Sequence, residues 1–325
     1  MTVENHVETG LGAGPRFSDY VRIARPDHWI KNIFMLPGAA LAIALSGELG
    51  VGTVLAVAAA LASLCLIASA NYTINEYLDA QHDRHHPLKK SRPGAEGRLE
   101  FRLVALQYLL LAAAGMLIAQ LLGTPFMLTG AALLLMGLAY NVPPVRTKDR
   151  VYLDVLSESV NNPLRLLMGW FVVLPDALPP ASLILAYWMG GAFLMAMKRY
   201  SEYRRIGDPG RAGLYRRSFR FYTEEKLLLS SFFYALLAAF LLGVFLVKYR
   251  IEYLLTLPLF AVLFTWYLAI ALRADSAAQA PEKLHRERSF MAFVGVLSVA
   301  VAVLTFVDLP FLNFLMDPYL LRFRG

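Results

Sequence analysis

Three side chains spaced four residues apart, Asn75, Asp79 and Asp83, could hold a hard metal ion beside a phosphate group. On a helix, each step of four residues turns by only about 40°, so the three groups share one face. Carboxylate and amide oxygens suit Mg²⁺, which commonly bridges to phosphate oxygens, so this face predicts a Mg²⁺-dependent phosphate site. A basic stretch follows at once, and its cations could contact the same phosphate. These cations are Lys89, Lys90 and Arg92.

A second polar segment, residues 140–165, offers the same types of ligand. Asp154 and Glu158 are one helical turn apart, so both carboxylates can face one metal ion. Ionisable groups that enter an apolar segment are costly to bury and usually face a polar cavity. Arg165 lies deeper in the same segment and needs either an anion or one of these carboxylates as its partner. Asp149, by contrast, is interpreted as part of an ordinary solvated turn.

The segments that must position these groups are long and apolar. Of the 325 residues, 58% are hydrophobic and only 17% are charged, and the mean hydropathy is +0.51. Soluble domains carry about 25% charge, so the composition indicates an all-α integral membrane protein. Nine apolar segments, most of them about 20 residues long, predict nine transmembrane helices. They are residues 29–46, 51–78, 101–122, 125–142, 155–174, 181–199, 226–247, 251–272 and 289–307.

The predicted domain organisation has three parts. Residues 1–25 form a tail and a short amphipathic segment at the membrane surface, residues 26–310 form the transmembrane domain, and residues 311–325 form a second tail. The first fifteen residues are polar, so we expect no cleavable signal peptide. With Cys65 as the single cysteine, no disulfide and no cysteine-based metal site can form.

The loops between the apolar segments are of two kinds, short ones nearly free of Lys and Arg, and long basic ones. The basic loops are residues 79–100, 141–154, 200–225 and 273–288. Since basic loops remain in the cytoplasm, we expect both acidic motifs to face the cytoplasm at the cell's inner membrane. Orientation and anionic substrates then explain the net charge of +7, and we expect no nucleic-acid partner.

The first motif, Asn75-xxx-Asp79-xxx-Asp83 followed by HPLKKSRP, resembles the first signature of the UbiA superfamily of intramembrane prenyltransferases. Its usual form is NDxxDxxxD, and here Glu76 stands where Asp is common. In the second segment, Tyr140, Lys148 and Asp154 fit the superfamily pattern, while Glu158 replaces the second Asp. The resemblance implies helices bundled around a central cavity, a Mg²⁺ cofactor, and transfer chemistry on a polyprenyl lipid and a phosphate-bearing co-substrate in the bilayer.

Three shorter strings resemble one branch of that superfamily, the polyprenyl-phosphate phosphoribosyltransferases. They are RPDHWIKN from Arg25, KRYSE from Lys198 and RRSFRFYTEE from Arg216. In that version the metals hold the diphosphate of phosphoribosyl pyrophosphate, and a polyprenyl phosphate attacks the ribose. The alternative is a prenyl diphosphate donor with an aromatic or quinone-precursor acceptor, which the acidic motifs cannot separate from the first. A transporter with a carboxylate relay is disfavoured, because the acidic residues cluster at one rim.

The residues and the resemblance together predict three sets of site residues. The catalytic residues are Asp79, Asp83, Lys148 and Asp154. The metal ligands are Asn75, Asp79, Asp83, Asp154 and Glu158. The substrate-binding residues are Lys31, Asn71, Lys89, Lys90, Arg92, Tyr140, Asn162, Arg165, Lys198 and Arg199.

Overall fold

The computed structural model describes residues 16–249, 251–273, 276, 278, 284 and 286–315. Within these ranges every regular element is a helix and none is a strand, which confirms the all-α prediction. The predictions for residues 1–15 and for the end of the second tail, residues 316–325, fall outside the described residues.

The helices are joined by connections of very different length, and the one between α4 and α5 spans residues 84–100. The α-helices are α1 (Phe17–Ile23), α2 (Leu36–Ser46), α3 (Val51–Leu78), α4 (Ala80–Asp83), α5 (Phe101–Leu121), α6 (Thr124–Asn141), α7 (Leu153–Ser159), α8 (Asn161–Phe171), α9 (Ala181–Ile206), α10 (Pro209–Tyr215), α11 (Glu224–Tyr249), α12 (Leu257–Ala271) and α13 (Arg288–Phe306). The 3₁₀-helices include Pro26–Met35, Thr147–Asp149, Arg217–Arg220, Ile251–Thr256 and Pro310–Leu315.

Eight segments of the described chain are helical, long enough and apolar enough to cross a membrane. They are Phe17–Ser46, α3, α5, α6, α9, α11, Ile251–Ala271 and Arg288–Thr305. Helices of this length and hydropathy identify an integral membrane protein. The first of them is not one continuous α-helix, since the 3₁₀-helix Pro26–Met35 separates α1 from α2.

The predicted span 155–174 is divided between α7 and α8, neither of which reaches the length of a span. Pro163 explains the division, because proline has no N–H to donate to the Ser159 carbonyl and its ring crowds that position. Val160, between the two helices, keeps helical backbone angles (φ −54°, ψ −27°), so the break is local. The count of nine spans therefore stays a prediction.

Helices α2 and α8 pack so closely that their backbones are in contact. A Cβ atom added to Gly38 would overlap the Leu166 carbonyl oxygen, and one added to Gly169 would overlap the Met35 carbonyl oxygen. Since any larger residue would push the helices apart, the two glycines set their separation. This contact also places Arg165 of α8 beside the amino-terminal segment.

Buried apolar side chains form two large clusters. One joins α3, α6 and α8 through residues such as Ile67 and Met168, and the other joins α9, α11 and α12 through residues such as Met197 and Ile270. The polar ends of α3, α6 and α9 meet one another, since their side chains are hydrogen-bonded across the helices. The apolar clusters therefore hold three helix ends in fixed positions around one polar site.

Candidate active site

The first acidic motif lies where α3 ends. Asn75 is in the last turn of α3, and Asp79 is the residue that follows the helix. The Asn75 amide donates to the Asp79 carboxylate at 3.0 Å, so these two side chains share one face. Asp83 lies on α4 and accepts a hydrogen bond from Arg92 at 2.6 Å. Burial raises the pKa of Asp83, although Lys89 and Arg92 oppose the shift.

Two cations from the connection between α6 and α7 neutralise Asp79. The buried ammonium of Lys148 contacts Asp79, and Arg146 donates to the same oxygen at 3.1 Å. Burial favours the protonated form of Asp79, but Lys148 and Arg146 outweigh it and lower its pKa below the usual range. Burial also lowers the pKa of Lys148 to about 8, although Asp79 opposes that shift. Asp79 is therefore an anion at neutral pH with two counter-charges already in place.

Sequence reasoning missed two residues of this group. The Asn141 side chain accepts hydrogen bonds from both Asn75 and Lys148, and so links the two motifs. Arg146, whose φ of 27° is in the left-handed region, donates to the Asn141 carbonyl at 2.9 Å. An amide at the end of an apolar helix is a signal that identifies Asn141, whereas Arg146 resembles any other cation of a basic loop.

Asp154 of the second motif is completely buried. Its carboxylate accepts hydrogen bonds from Tyr222 at 2.7 Å, Ser218 at 3.0 Å and Arg199 at 3.4 Å, and Arg216 lies 3.7 Å away. These partners come from α9 and from the segment after α10, so Asp154 fastens that segment to the bundle. Its assignment as a metal ligand stays a prediction.

The Arg199 guanidinium lies between the two carboxylates of the second motif. It pairs with Asp154 on one side and with Glu158 on the other. Glu158 also accepts from the Tyr140 hydroxyl at 2.7 Å and from Lys198 at 3.3 Å, and its side chain is 23% exposed. A cation therefore occupies the position between the carboxylates, and Glu158 is the accessible member of the pair.

The hydroxyl of Tyr140 is surrounded by cations. Arg199 donates to it at 3.0 Å and Arg216 donates to it at 3.2 Å, while the Lys148 ammonium lies 5.6 Å from the ring centre. The buried Nε of Arg216 has no hydrogen-bond acceptor among the described residues. This unused donor is available to an anion, and Arg216 is a further residue that sequence reasoning missed.

The basic loop between α4 and α5 is fastened to α9 and α10. Lys89 donates to Glu202 at 2.9 Å and contacts the Tyr215 hydroxyl. Lys90, next to it, is exposed. Phosphate binding by Lys89 and Lys90 stays a prediction, and the structure gives Lys89 a bridging contact between the two basic loops.

His86 makes the fold of this loop sensitive to acid. Its Nδ1 accepts from the backbone N–H groups of Leu88 at 3.1 Å and Lys89 at 3.3 Å, and burial together with the Lys89 charge lowers its pKa from 6.5 to about 4. Between these two values the unfolded chain binds a proton that the folded chain does not, so stability falls as the pH falls from about 6.5 towards 4.

We expect the unfolding midpoint to drop by a few degrees between pH 7 and pH 5, because the pKa difference of His86 corresponds to a loss of about 2 kcal/mol of stability. His86→Asn keeps an acceptor that does not titrate, and should flatten this dependence in a thermal unfolding series. His85→Asn, at an exposed neighbouring position, should leave it unchanged. An equal acid-induced drop in His86→Asn and the wild type would contradict the assignment.

The amino-terminal segment covers the first motif. Arg25 pairs with the buried Glu76, and Arg92 lies 3.8 Å from the same carboxylate. Trp29 donates from its indole to Ser69 of α3 at 2.9 Å. Glu76, at the position where the UbiA signature commonly has Asp, is therefore paired with cations. Sequence reasoning missed Arg25 because its partner is 51 residues away.

The remaining predicted substrate-binding residues lie on neighbouring turns. Asn71, one turn before the first motif, donates to a carbonyl of α6 at 3.0 Å. Lys31 lies 3.2 Å from a histidine of the same 3₁₀-helix. Asn162 and Arg165, both on α8, contact each other at 3.3 Å. The structure thus brings Asn162 and Arg165 together and packs Asn71 against α6.

The described residues contain no group of three or more His, Cys, Asp or Glu side chains arranged to hold a metal ion. The carboxylates of Asp79 and Glu158 are instead paired with the side-chain cations of Lys148 and Arg199. By donor type, Asn75, Asp79 and Glu158 nevertheless fit Mg²⁺, because they present hard oxygens. The side chains of Asp79 and Glu158 are also accessible, at 17% and 23% exposure. These residues therefore have the oxygen donors that Mg²⁺ prefers, and two of their carboxylates can be reached by an ion from solution.

A helical membrane bundle with carboxylates and cations gathered at one end of its helices has the architecture of an intramembrane transferase. The sequence model of the UbiA prenyltransferase family matches residues 33–295, which is most of the chain. The chain therefore belongs to the UbiA prenyltransferase family, as its two motifs predicted.

Two curated relatives and one solved structure illustrate this membership. The decaprenyl-phosphate phosphoribosyltransferase of Mycolicibacterium smegmatis is 30% identical over 211 residues, which cover 65% of this chain and 64% of that protein. The nodulation protein NoeC of Azorhizobium caulinodans is 28% identical over 204 residues, which cover 62% of this chain and 63% of that protein. The chain thus spans less than two thirds of the length of either relative.

The solved structure is a UbiA homolog from Archaeoglobus fulgidus bound to GPP and Mg²⁺. It covers 89% of this chain and 100% of its own, with a TM-score of 0.67 and 22% sequence identity. This likeness confirms the UbiA-like fold.

Proposed function

We propose that this chain transfers phosphoribose from phosphoribosyl pyrophosphate to the phosphate of a polyprenyl lipid. The observation that carries the proposal is the arrangement of cations in two groups beside Tyr140, with Lys148 near its ring and with Arg199 and Arg216 at its hydroxyl. The group beside Asp79 is Arg146 and Lys148, and the group beside Glu158 is Lys198, Arg199 and Arg216. A donor that carries a diphosphate and a separate 5-phosphate has two anionic groups, which match both. The phosphoribosyltransferase relative from M. smegmatis supports the same reading.

In this reaction the bond from ribose C1 to the diphosphate breaks, and a bond from C1 to a phosphate oxygen of the lipid forms. Pyrophosphate leaves with the electron pair, so negative charge grows on it while positive charge grows on the ribose ring. Arg146 and Lys148 would hold the departing diphosphate and neutralise part of its charge. Mg²⁺, when bound by Asn75, Asp79 and Glu158, would neutralise more of it as a Lewis acid.

The residues of the second group would orient the donor. Arg199 is fixed by the buried Asp154, so its guanidinium is held rigidly next to Tyr140. Arg216 adds the unused Nε donor. Together they would bind the 5-phosphate and keep C1 turned towards the lipid acceptor, which raises the rate by fixing the reacting atoms in position.

The deciding experiment uses the full chain reconstituted in liposomes with Mg²⁺. Labelled phosphoribosyl pyrophosphate is supplied with a polyprenyl phosphate, and in a parallel reaction labelled prenyl diphosphate is supplied with a hydroxybenzoate or a quinol. We expect labelled transfer product in the first reaction only, as a phosphoribosylated polyprenyl lipid. Product in the second reaction alone would refute the proposal.

Prenyl transfer to an aromatic or quinone-precursor acceptor is the second candidate. It is favoured by the fold shared with the A. fulgidus homolog, which was solved with GPP and Mg²⁺. A prenyl diphosphate has only one anionic group, so one of the two cation groups beside Tyr140 would have no phosphate to bind.

The proposal includes an active site on the cytoplasmic side of the inner membrane. It rests on the basic loops, which carry both motifs. Cysteines placed at Ser91 and at Ala177 in a chain without Cys65 should react with impermeant reagents from opposite sides. Labelling of both from the outside would show that the proposed orientation is wrong.

A further inference from the structure

Arg165 is a buried cation whose protein partners are all neutral. Arg165 is 8% exposed. Its Nε donates to the Asn32 side-chain oxygen at 3.2 Å, and its Nη1 donates to the Asn162 side-chain oxygen at 3.3 Å. Among the described residues, no carboxylate lies within ion-pair distance of it, and its Nη2 makes no hydrogen bond. Amide oxygens accept hydrogen bonds but carry no net charge, so the positive charge of Arg165 is uncompensated.

The other deeply buried arginine of the site shows the contrast. Arg199 is completely buried and is paired with three carboxylates, those of Asp154, Glu158 and Glu202. A buried charge without a counter-charge costs several kcal/mol, and in a membrane segment such a group marks a binding site more often than a packing contact. The environment of Arg165 therefore favours the binding of an anion.

The polar ends of α3, α6 and α9 form the rim of the bundle, where the two cation groups beside Tyr140 lie. Arg165 lies further from this rim than those groups. Glu158 and Arg165 are seven residues apart along α7 and α8, which is about 10 Å at 1.5 Å per residue. On the other side of Arg165, α8 continues into the buried apolar residue Met168.

An anion bound to Arg165 would therefore have the rim site on one side and the apolar core on the other. A lipid phosphate fits this position, since its oxygens can meet the guanidinium while its tail remains in apolar surroundings. The two amides hold the guanidinium plane, which leaves the remaining N–H donors in the fork arrangement that suits phosphate. A sugar phosphate without a tail would gain nothing from the apolar side.

The geometry points to Arg165, held by Asn32 and Asn162, as the binding site for the phosphate of the polyprenyl acceptor, separate from the rim where the diphosphate binds. This inference rests on the proposed function, because it assigns the second substrate of that reaction. The rim and Arg165 would then be two separate anion sites, and the ribose would lie between them.

The first test measures binding without turnover. Detergent-purified full chain in EDTA is titrated with geranylgeranyl phosphate and with geranylgeraniol by calorimetry. We expect the phosphate to bind and the alcohol not to bind. Arg165→Gln should weaken phosphate binding by at least about tenfold, roughly 1.4 kcal/mol, and Arg165→Lys should recover part of it. Arg102→Gln, at an exposed arginine of α5, should bind as the wild type does.

The second test separates the two substrates kinetically. Arg165→Gln should raise the KM for the polyprenyl phosphate by about tenfold or more and leave the KM for phosphoribosyl pyrophosphate within about twofold. Its thermal unfolding midpoint should equal or exceed that of the wild type, because the substitution removes an uncompensated buried charge. A lower midpoint would assign Arg165 a structural role and overturn the inference, as would a rise confined to the KM for phosphoribosyl pyrophosphate.

These outcomes distinguish failure of the inference from failure of the proposed function. If the wild type binds geranylgeranyl phosphate through Arg165 but does not consume phosphoribosyl pyrophosphate, the proposed reaction is wrong and the lipid phosphate site stands. If the wild type performs the reaction and Arg165→Gln keeps the wild-type KM for the lipid, the lipid phosphate site is wrong and the reaction stands.

Discussion

Replacing Asp79 with alanine is expected to lower turnover by about two to three orders of magnitude. Asp79 is the accessible carboxylate of the first motif, and it contacts Asn75, Lys148 and Arg146. Its loss would remove a ligand that fits Mg²⁺ and would free two cations from their positions. Charge stabilisation by a bound metal contributes several kcal/mol to a leaving-group reaction, and each 1.4 kcal/mol is a factor of about ten.

The measurement is the initial rate in liposomes at saturating substrate across a range of Mg²⁺ concentrations. EDTA should abolish the wild-type rate and added Mg²⁺ should restore it, whereas Asp79→Ala should remain slow at every concentration. Asp176→Ala, in an exposed loop between α8 and α9, should match the wild type throughout. A normal rate for a well-folded Asp79→Ala protein would exclude Asp79 from the active site.

Replacing Asp154 with alanine is expected to destabilise the protein by about 3–5 kcal/mol, the usual cost of removing one partner from a buried ion pair. The change would remove the acceptor for Ser218 and Tyr222 and one of the counter-charges of the buried Arg199. The segment after α10 would lose its attachment to the bundle. Chemical denaturation followed by tryptophan fluorescence would measure the loss.

Asp149→Ala is the matched control for Asp154→Ala. Asp149 pairs with Arg217, whose side chain is 62% exposed, and with Arg146 at 3.2 Å. Its removal should cost about 1 kcal/mol or less, as for other pairs with an exposed partner. If Asp154→Ala instead kept wild-type stability and lost only its response to Mg²⁺, Asp154 would be the metal ligand that its sequence pattern predicts.

The sequence predicts the fold class because hydropathy and loop charge are properties of single segments. It also predicts the contact between Asn75 and Asp79, since a helix brings residues four apart together whatever surrounds them. The break before Pro163 was not predicted, although proline interrupts a helix by a local mechanism. The two correct predictions, the fold class and the contact between Asn75 and Asp79, depend only on residues that lie close together in the sequence.

The partners of the carboxylates could not be predicted in this way. Asp154 and Glu158 satisfy helical spacing for a shared metal ion, yet Arg199, 41 residues after Glu158, occupies the position between them. Ser218 and Tyr222 enclose Asp154 from 64 and 68 residues away. Spacing identifies which side chains share a face, but the choice between a metal ion and a cation as neighbour depends on tertiary packing.

The close contact between α2 and α8 has a consequence for biogenesis. Asn32 and Gly38 are synthesised early, but their partners on α8 follow only after several intervening helices, 133 residues later in the case of Arg165. Since the helices are synthesised in order, residues 26–46 cannot make this contact until α8 has been inserted. The contact between α2 and α8, and with it the environment of Arg165, is thus completed late, and a chain that ends before α8 would lack both.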